Sequence, residues 1–122
     1  MTRRRQDPES LLPLTAGMFQ VLIALADGDK HGYAIIKEVA RRTGGAVALS
    51  AGTLYTIIRR FEQEGVVAEA ATRPDPALDD ERRRYYRLTD FGRDVAKAEA
   101  GRMESALGMA RAKHLSPKSR LA

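Results

Sequence analysis

Cysteine and tryptophan are absent from this chain, and histidine occurs only twice. Without cysteine there is no disulfide, no thiol nucleophile and no zinc site built on thiolates. The two histidines, His31 and His114, lie far apart, and no glycine-rich loop of the phosphate-cradling kind occurs. The convergent acid, base or nucleophile groups that an enzyme needs are therefore missing, and no catalytic residue, metal ligand or cofactor is expected. Long apolar runs are missing too. The longest, "MFQVLIALA" from Met18, is interrupted by Gln20 and falls far short of the ~20 residues of a membrane span. The start, "MTRRRQDPES", carries charge but no apolar stretch of the secretory type, so a cytoplasmic address and no membrane partner are expected. Neither an internal repeat nor a low-complexity tract occurs.

What remains is a chain of 122 residues, 43% of them hydrophobic, enough for one domain with a single core. Its formal charge is +5, and arginine supplies most of the excess, with sixteen Arg against five Lys. A positive balance favours anionic partners, and the guanidinium fork matches both phosphate and the guanine edge.

The hydrophobic spacing predicts mainly helices with a small β-hairpin. After a flexible basic leader over 1–13, Thr15 caps a first helix that buries Met18, Val21, Leu22 and Leu25 and ends at "DGD". A second helix follows "HGY", turns Ile35, Ile36, Val39 and Ala40 inward, closes in Arg41 and Arg42, and stops at Gly44. Ser50 caps a third, which runs to Gly65. "VVAEAA" and "RRYYRLT" then read as two strands around "TRPDPALDDER", a proline-punctuated loop, with Tyr86 and Leu88 on one face of the second strand and Tyr85 and Arg87 on the other. Such a hairpin needs a helical core to rest on, and its tip forms a wing. Thr89 and Asp90 open a last helix that reaches about His114, followed by a tail over 115–122. Phe91, Val95 and Ala98 form its core stripe, and Ala96, Ala100, Met103, Leu107, Ala110 and His114 form a longer seam that calls for a partner. Gly101 and Gly108 suit a close helix approach there.

The third helix, "SAGTLYTIIRRFEQEG", holds the strongest functional signal. Leu54, Ile57, Ile58 and Phe61 recur at i, i+3, i+4 and i+7 and gather on one face. Thr53, Tyr55, Thr56, Arg59, Arg60 and Gln63 are left on the other, which offers hydrogen-bond donors, positive charge and a flat ring. A helix of this kind fits the DNA major groove, where its N-terminal residues reach base edges. The alternative is the same fold used as a protein-binding module, whose exposed face would carry apolar or acidic residues instead. Tyr33 reads equally as core or as surface, and His31 reads as a hydrogen bonder at a helix start. "TRRR" from Thr2 to Arg5 reads as a groove-tracking arm or a solvated tail.

Three stretches, "HGYAIIKEV", "LSAGTLYTIIRRFEQEGVV" and "RRRYYRLTDFGR", in this order, resemble the PadR family of transcriptional regulators, over about three quarters of the chain. The resemblance implies a winged helix-turn-helix domain over 14–88 and a dimerisation helix over 89–114, as in the short subfamily. It implies repression at an inverted repeat by a homodimer that reads a palindromic operator, with a small-molecule effector a further option. Carried over by position, Thr53 and Tyr55 of "GTLY" lie at the DNA surface, Tyr33 lies beside a phosphate, and Arg83 and Arg84 lie near the backbone. Lys37, Ser50, Ala51, Gly52, Thr56, Arg59 and Arg60 complete the expected DNA face. Met18, Leu22, Ala96, Ala100, Met103, Leu107 and Ala110 form the expected dimer interface. This chain departs from the family at Thr56, where many members have proline, and in the wing, which carries Asp79, Asp80 and Glu81.

Overall fold

The computed structural model describes residues 6–71 and 83–115. The Thr2–Arg5 arm, the acidic wing tip and the tail beyond Leu115 lie outside the described residues. Among the described residues four α-helices and three short strands follow one another: α1 (Ala16–Leu25), β1 (Lys30–His31), α2 (Gly32–Arg42), α3 (Ala51–Gln63), β2 (Val67–Glu69), β3 (Tyr85–Leu88) and α4 (Asp90–Ala112).

Each helix begins at a side chain that accepts a hydrogen bond from one of the backbone N–H groups that the first turn leaves without a partner. Thr15 Oγ1 accepts from Met18 N–H at 3.1 Å, Ser50 Oγ from Thr53 N–H at 3.1 Å, and Thr89 Oγ1 from Gly92 N–H at 2.9 Å. For α2 the acceptor is the Nδ1 of His31, 3.2 Å from Ala34 N. Helix α2 thus starts at Gly32, inside "HGY" rather than after it, and Tyr33 lies in its first turn. The third helix gives way to β2 at Gly65, whose φ of 76° is costly for any residue with a Cβ.

The four helices pack around Leu22, Ile35, Leu54, Ile58, Phe61, Val66 and Val95, all nearly or fully buried. Strand β3 sits between its two neighbours, antiparallel to both, with Lys30 opposite Tyr86 and Val67 opposite Leu88. The expected hairpin is therefore a three-stranded sheet. The third strand, β1, is only two residues long and too short to leave a periodic trace.

Two further differences concern the chain's ends. Pro8–Leu11, within the leader expected to be flexible, forms a 3₁₀ turn that packs beside α4. Just after it, Leu14 N–H donates at 2.6 Å to Glu99 Oε2, and Glu99 also accepts from Arg102 Nε. Glu99 is fully buried, whereas its i, i+3 spacing with Arg102 suggests a surface ion pair. Met18 and Leu22, expected at the dimer interface, are 7% and 0% exposed within this single chain. They fill its own core and leave little surface for a partner. Ala96 also packs partly against that core, while Ala100, Met103 and Leu107 are exposed on the outer half of α4 and Ala110 is half-buried.

Candidate nucleic-acid interface

Burying Leu54, Ile58 and Phe61 turns the opposite side of α3 to solvent. Gly52, Thr56, Arg59 and Gln63, at i, i+4, i+7 and i+11, form the ridge directly away from the core, and all are exposed. Ala51, Thr53, Tyr55 and Arg60 flank it, also exposed. Their hydroxyls are already partly engaged: Ser50 Oγ donates to Thr53 Oγ1 at 3.0 Å, and Thr56 Oγ1 donates to the Gly52 carbonyl at 2.9 Å. The two arginines differ. Arg60 Nε donates to Glu64 at 3.2 Å, whereas Arg59 has no carboxylate partner among the described residues.

Tyr55 links this helix to α2. A Cβ at Gly32 would lie 2.7 Å from the Tyr55 hydroxyl oxygen and 3.1 Å from its Cζ, so the absence of a side chain at Gly32 lets the ring lie where it does. Tyr55 nevertheless stays 45% exposed. Across from it, Tyr33 is 60% exposed, which removes the core reading. Its ring stacks parallel to His31 at 6.5 Å between centroids, and the Lys37 ammonium lies 5.3 Å from its centre.

From the sheet side, Arg83 Nη1 comes within 3.3 Å of His31 Nε2, and the Tyr85 ring meets His31 edge-on. His31, Gly32, Tyr33, Tyr55, Arg83, Arg84 and Tyr86 line one open cleft of about 420 Å3. Tyr86 forms the inner wall, and burial pushes its phenol above the ordinary tyrosine range. The cleft rim is rich in cationic and hydroxyl donors, an arrangement that takes an anionic oxygen.

The residues expected from sequence at the DNA face thus fall on two adjoining surfaces. Tyr33, Tyr55, Arg83 and Arg84 meet in the cleft, with Lys37 beside it. Ser50 caps α3, and Ala51, Gly52, Thr53, Thr56, Arg59 and Arg60 belong to it. His31 and Gly32 were not among those expected. The signal for Gly32 was its place between two residues of a helix start, and the signal for His31 was its capping position, but neither reveals Tyr55 or Arg83 as a neighbour.

The profile of the transcriptional regulator PadR-like family matches residues 21–98. An uncharacterised protein of Lysinibacillus sphaericus is 32% identical over 73 residues, which make up 60% of this chain and 64% of that protein. The chain therefore aligns with somewhat less than two thirds of that relative. Among solved structures, a transcriptional regulator from Clostridium thermocellum is 25% identical with a TM-score of 0.65, over 78% of this chain and 86% of that one. A Bacillus subtilis structure described as PadR in complex with operator DNA shares the fold at 21% identity and a TM-score of 0.57, over 70% of this chain and 47% of that one.

Proposed function

Because the chain belongs to the PadR-like family of transcriptional regulators, which are not enzymes, we propose that it binds double-stranded DNA sequence-specifically through α3 and represses transcription as a homodimer. The observation that carries this reading is the outward ridge of α3. Its N-terminal half is small and hydroxylic, its middle offers Arg59, which has no carboxylate partner among the described residues, and a cation-rimmed cleft adjoins it. In the major groove the ridge meets base edges, while Tyr33, Lys37, Arg83 and Arg84 meet the phosphates on one flank. The operator complex of the Bacillus protein, which shares the fold, supports the same use of it.

One α3 reads only a few base pairs. A two-fold pair reads two half-sites one or two helical turns apart, at ~34 Å per turn, and so requires an inverted repeat. The exposed seam of Ala100, Met103 and Leu107 on α4 is the surface for that pairing. A groove of about 700 Å3 between the Pro8–Leu11 turn and α4, lined by Leu12, Ala98 and Met109 among others, offers room for a small apolar effector. DNA binding places the protein in the cytoplasm; no helix among the described residues is long and apolar enough to cross a membrane. A protein-binding role is disfavoured by the basic and hydroxylic chemistry of the α3 surface.

The test is a salt titration of binding to a duplex that the protein has selected from genomic fragments. If Lys37, Arg83 and Arg84 of each copy neutralise a phosphate, about six counterions are released. The slope of log K against log salt is then about −5, and affinity falls about 10³-fold between 50 and 200 mM salt. A flat response overturns the DNA reading.

A further inference from the structure

Thr56 stands at the centre of the α3 ridge, and its side chain is not disposed as a polar one. Its hydroxyl turns back along the helix and donates to the carbonyl of Gly52 at 2.9 Å. A threonine that bonds the carbonyl four residues back has its hydroxyl hydrogen committed to its own helix, and the Cγ2 methyl remains as the outward group. Thr56 is nonetheless exposed. One turn earlier stands Gly52, where a Cβ would meet no atom within 4 Å among the described residues beyond its own turn of helix, so the ridge has a notch just before the methyl. One turn later stands Arg59, exposed and without a carboxylate partner among the described residues. Thr53 is arranged the other way: its oxygen accepts from Ser50, which leaves its own hydroxyl hydrogen free to turn outward.

Resting on the DNA reading above, we infer that Thr56 is a specificity-determining residue that reads the C5-methyl group of a thymine by apolar contact. In the major groove the four base pairs differ in their donors and acceptors, and the thymine methyl is the one apolar feature of unmodified DNA there. An outward methyl beside a glycine notch complements that feature. A hydroxyl aimed outward would complement an acceptor instead. The Arg59 guanidinium, three residues on, reaches a neighbouring guanine through O6 and N7.

The experiment uses the full chain and a duplex it selects from a random pool, with affinities measured by fluorescence anisotropy at fixed salt. Each thymine is replaced in turn by deoxyuridine, which removes the methyl and nothing else, and binding is measured for wild type, Thr56→Ser and Thr56→Val. Ser keeps the hydroxyl and its bond to Gly52 but has no methyl; Val keeps a methyl and has no hydroxyl. One thymine per half-site is expected to be sensitive in the wild type. A buried methyl is worth about 0.8 kcal/mol, which is about fourfold for one half-site and about fifteenfold when both are replaced. Thr56→Ser should lose the same factor on the thymine duplex and be indifferent to deoxyuridine, and Thr56→Val should retain the discrimination. If no thymine methyl matters to the wild type, or if its effect persists in Thr56→Ser, the methyl contact is overturned while the DNA reading stands. If the pool yields no selected sequence at all, both are overturned.

Discussion

The same substitution, glycine to alanine, should have opposite effects on stability at two helical positions. At Gly92, in the first turn of α4, an added Cβ would collide with the Val66 carbonyl oxygen and lie 2.8 Å from Leu88 Cδ1 and 3.0 Å from Val66 C. Two of these three atoms are backbone, so α4 itself must move. Moving it disturbs the Thr89 hydroxyl, which sits 2.6 Å from the Gly65 carbonyl oxygen and 2.9 Å from that of Val66 while capping α4. Overpacking of this kind costs about 1–3 kcal/mol, and the weakened hydrogen bonds add about 1 kcal/mol, against a propensity gain of at most about 1 kcal/mol. Gly92→Ala should therefore lose about 1–3 kcal/mol, which lowers Tm by roughly 4–12 °C in a domain of this size. At Gly52 nothing stands in the way, so alanine should raise stability by up to about 1 kcal/mol, and Tm by a few degrees. Gly52 also faces outward at the start of α3, so Gly52→Ala should weaken operator binding although the fold is more stable. Thermal melts by far-UV circular dichroism and anisotropy binding to the selected duplex check both. A Gly92→Ala protein that melts at or above the wild-type temperature would refute the seating of α4 on the turn between α3 and β2. Unchanged binding by Gly52→Ala would refute the close approach of DNA to the start of α3.

If the proposed homodimer pairs through α4, Leu107→Asp should yield a folded monomer, because Leu107 is 39% exposed and lies outside the core cluster; light scattering reads the mass, and affinity for a palindrome should fall to that for one half-site. The Glu99 carboxyl is held below the ordinary glutamate range, first by the Arg102 hydrogen bond and also by Leu14 N–H, against burial, which pushes it up. A depressed folded value means that its contribution to stability is present above the ordinary value of about 4.3 and is lost as pH falls through the lower folded one. Glu99→Gln should flatten that acid limb in melts taken as a function of pH. Asp27, held low by Lys30, titrates along the same limb and remains as a common background in both proteins. His31→Ala should cost about 1 kcal/mol as a lost helix cap and also weaken DNA binding, whereas His31→Asn, another capping residue, should restore stability.

The helices were legible because each has a side-chain cap and an apolar period. Thr15, Ser50 and Thr89 cap where the sequence indicates, and Leu54, Ile58 and Phe61 are buried as their spacing requires. Strand β1 was not legible, since its two residues depend on pairing with β3, some 55 residues later, rather than on any local preference. The burial of Glu99 was hidden for a similar reason: the group that offsets it, Leu14 N–H, is 85 residues away. Met18 and Leu22 read equally well as core and as interface, because an apolar stripe on a helix does not say which chain covers it. At the proposed DNA face the residue types were visible in "AGTLYTIIRR", but the side-chain hydrogen bonds that separate Thr56 from Thr53 and Arg59 from Arg60 appear only in three dimensions.

The central claim is that α3 reads DNA sequence, and the most direct test compares affinity for the selected duplex with that for a scrambled duplex of the same composition, at one salt concentration, for wild type, Thr53→Ala and Arg59→Ala. The wild type should prefer the selected duplex by at least about 10³-fold. Each variant should melt near the wild-type temperature yet lose about 1–3 kcal/mol per half-site on the selected duplex, with little change on the scrambled one. A wild type that binds both duplexes equally, or variants that lose equal affinity for both, would contradict the claim.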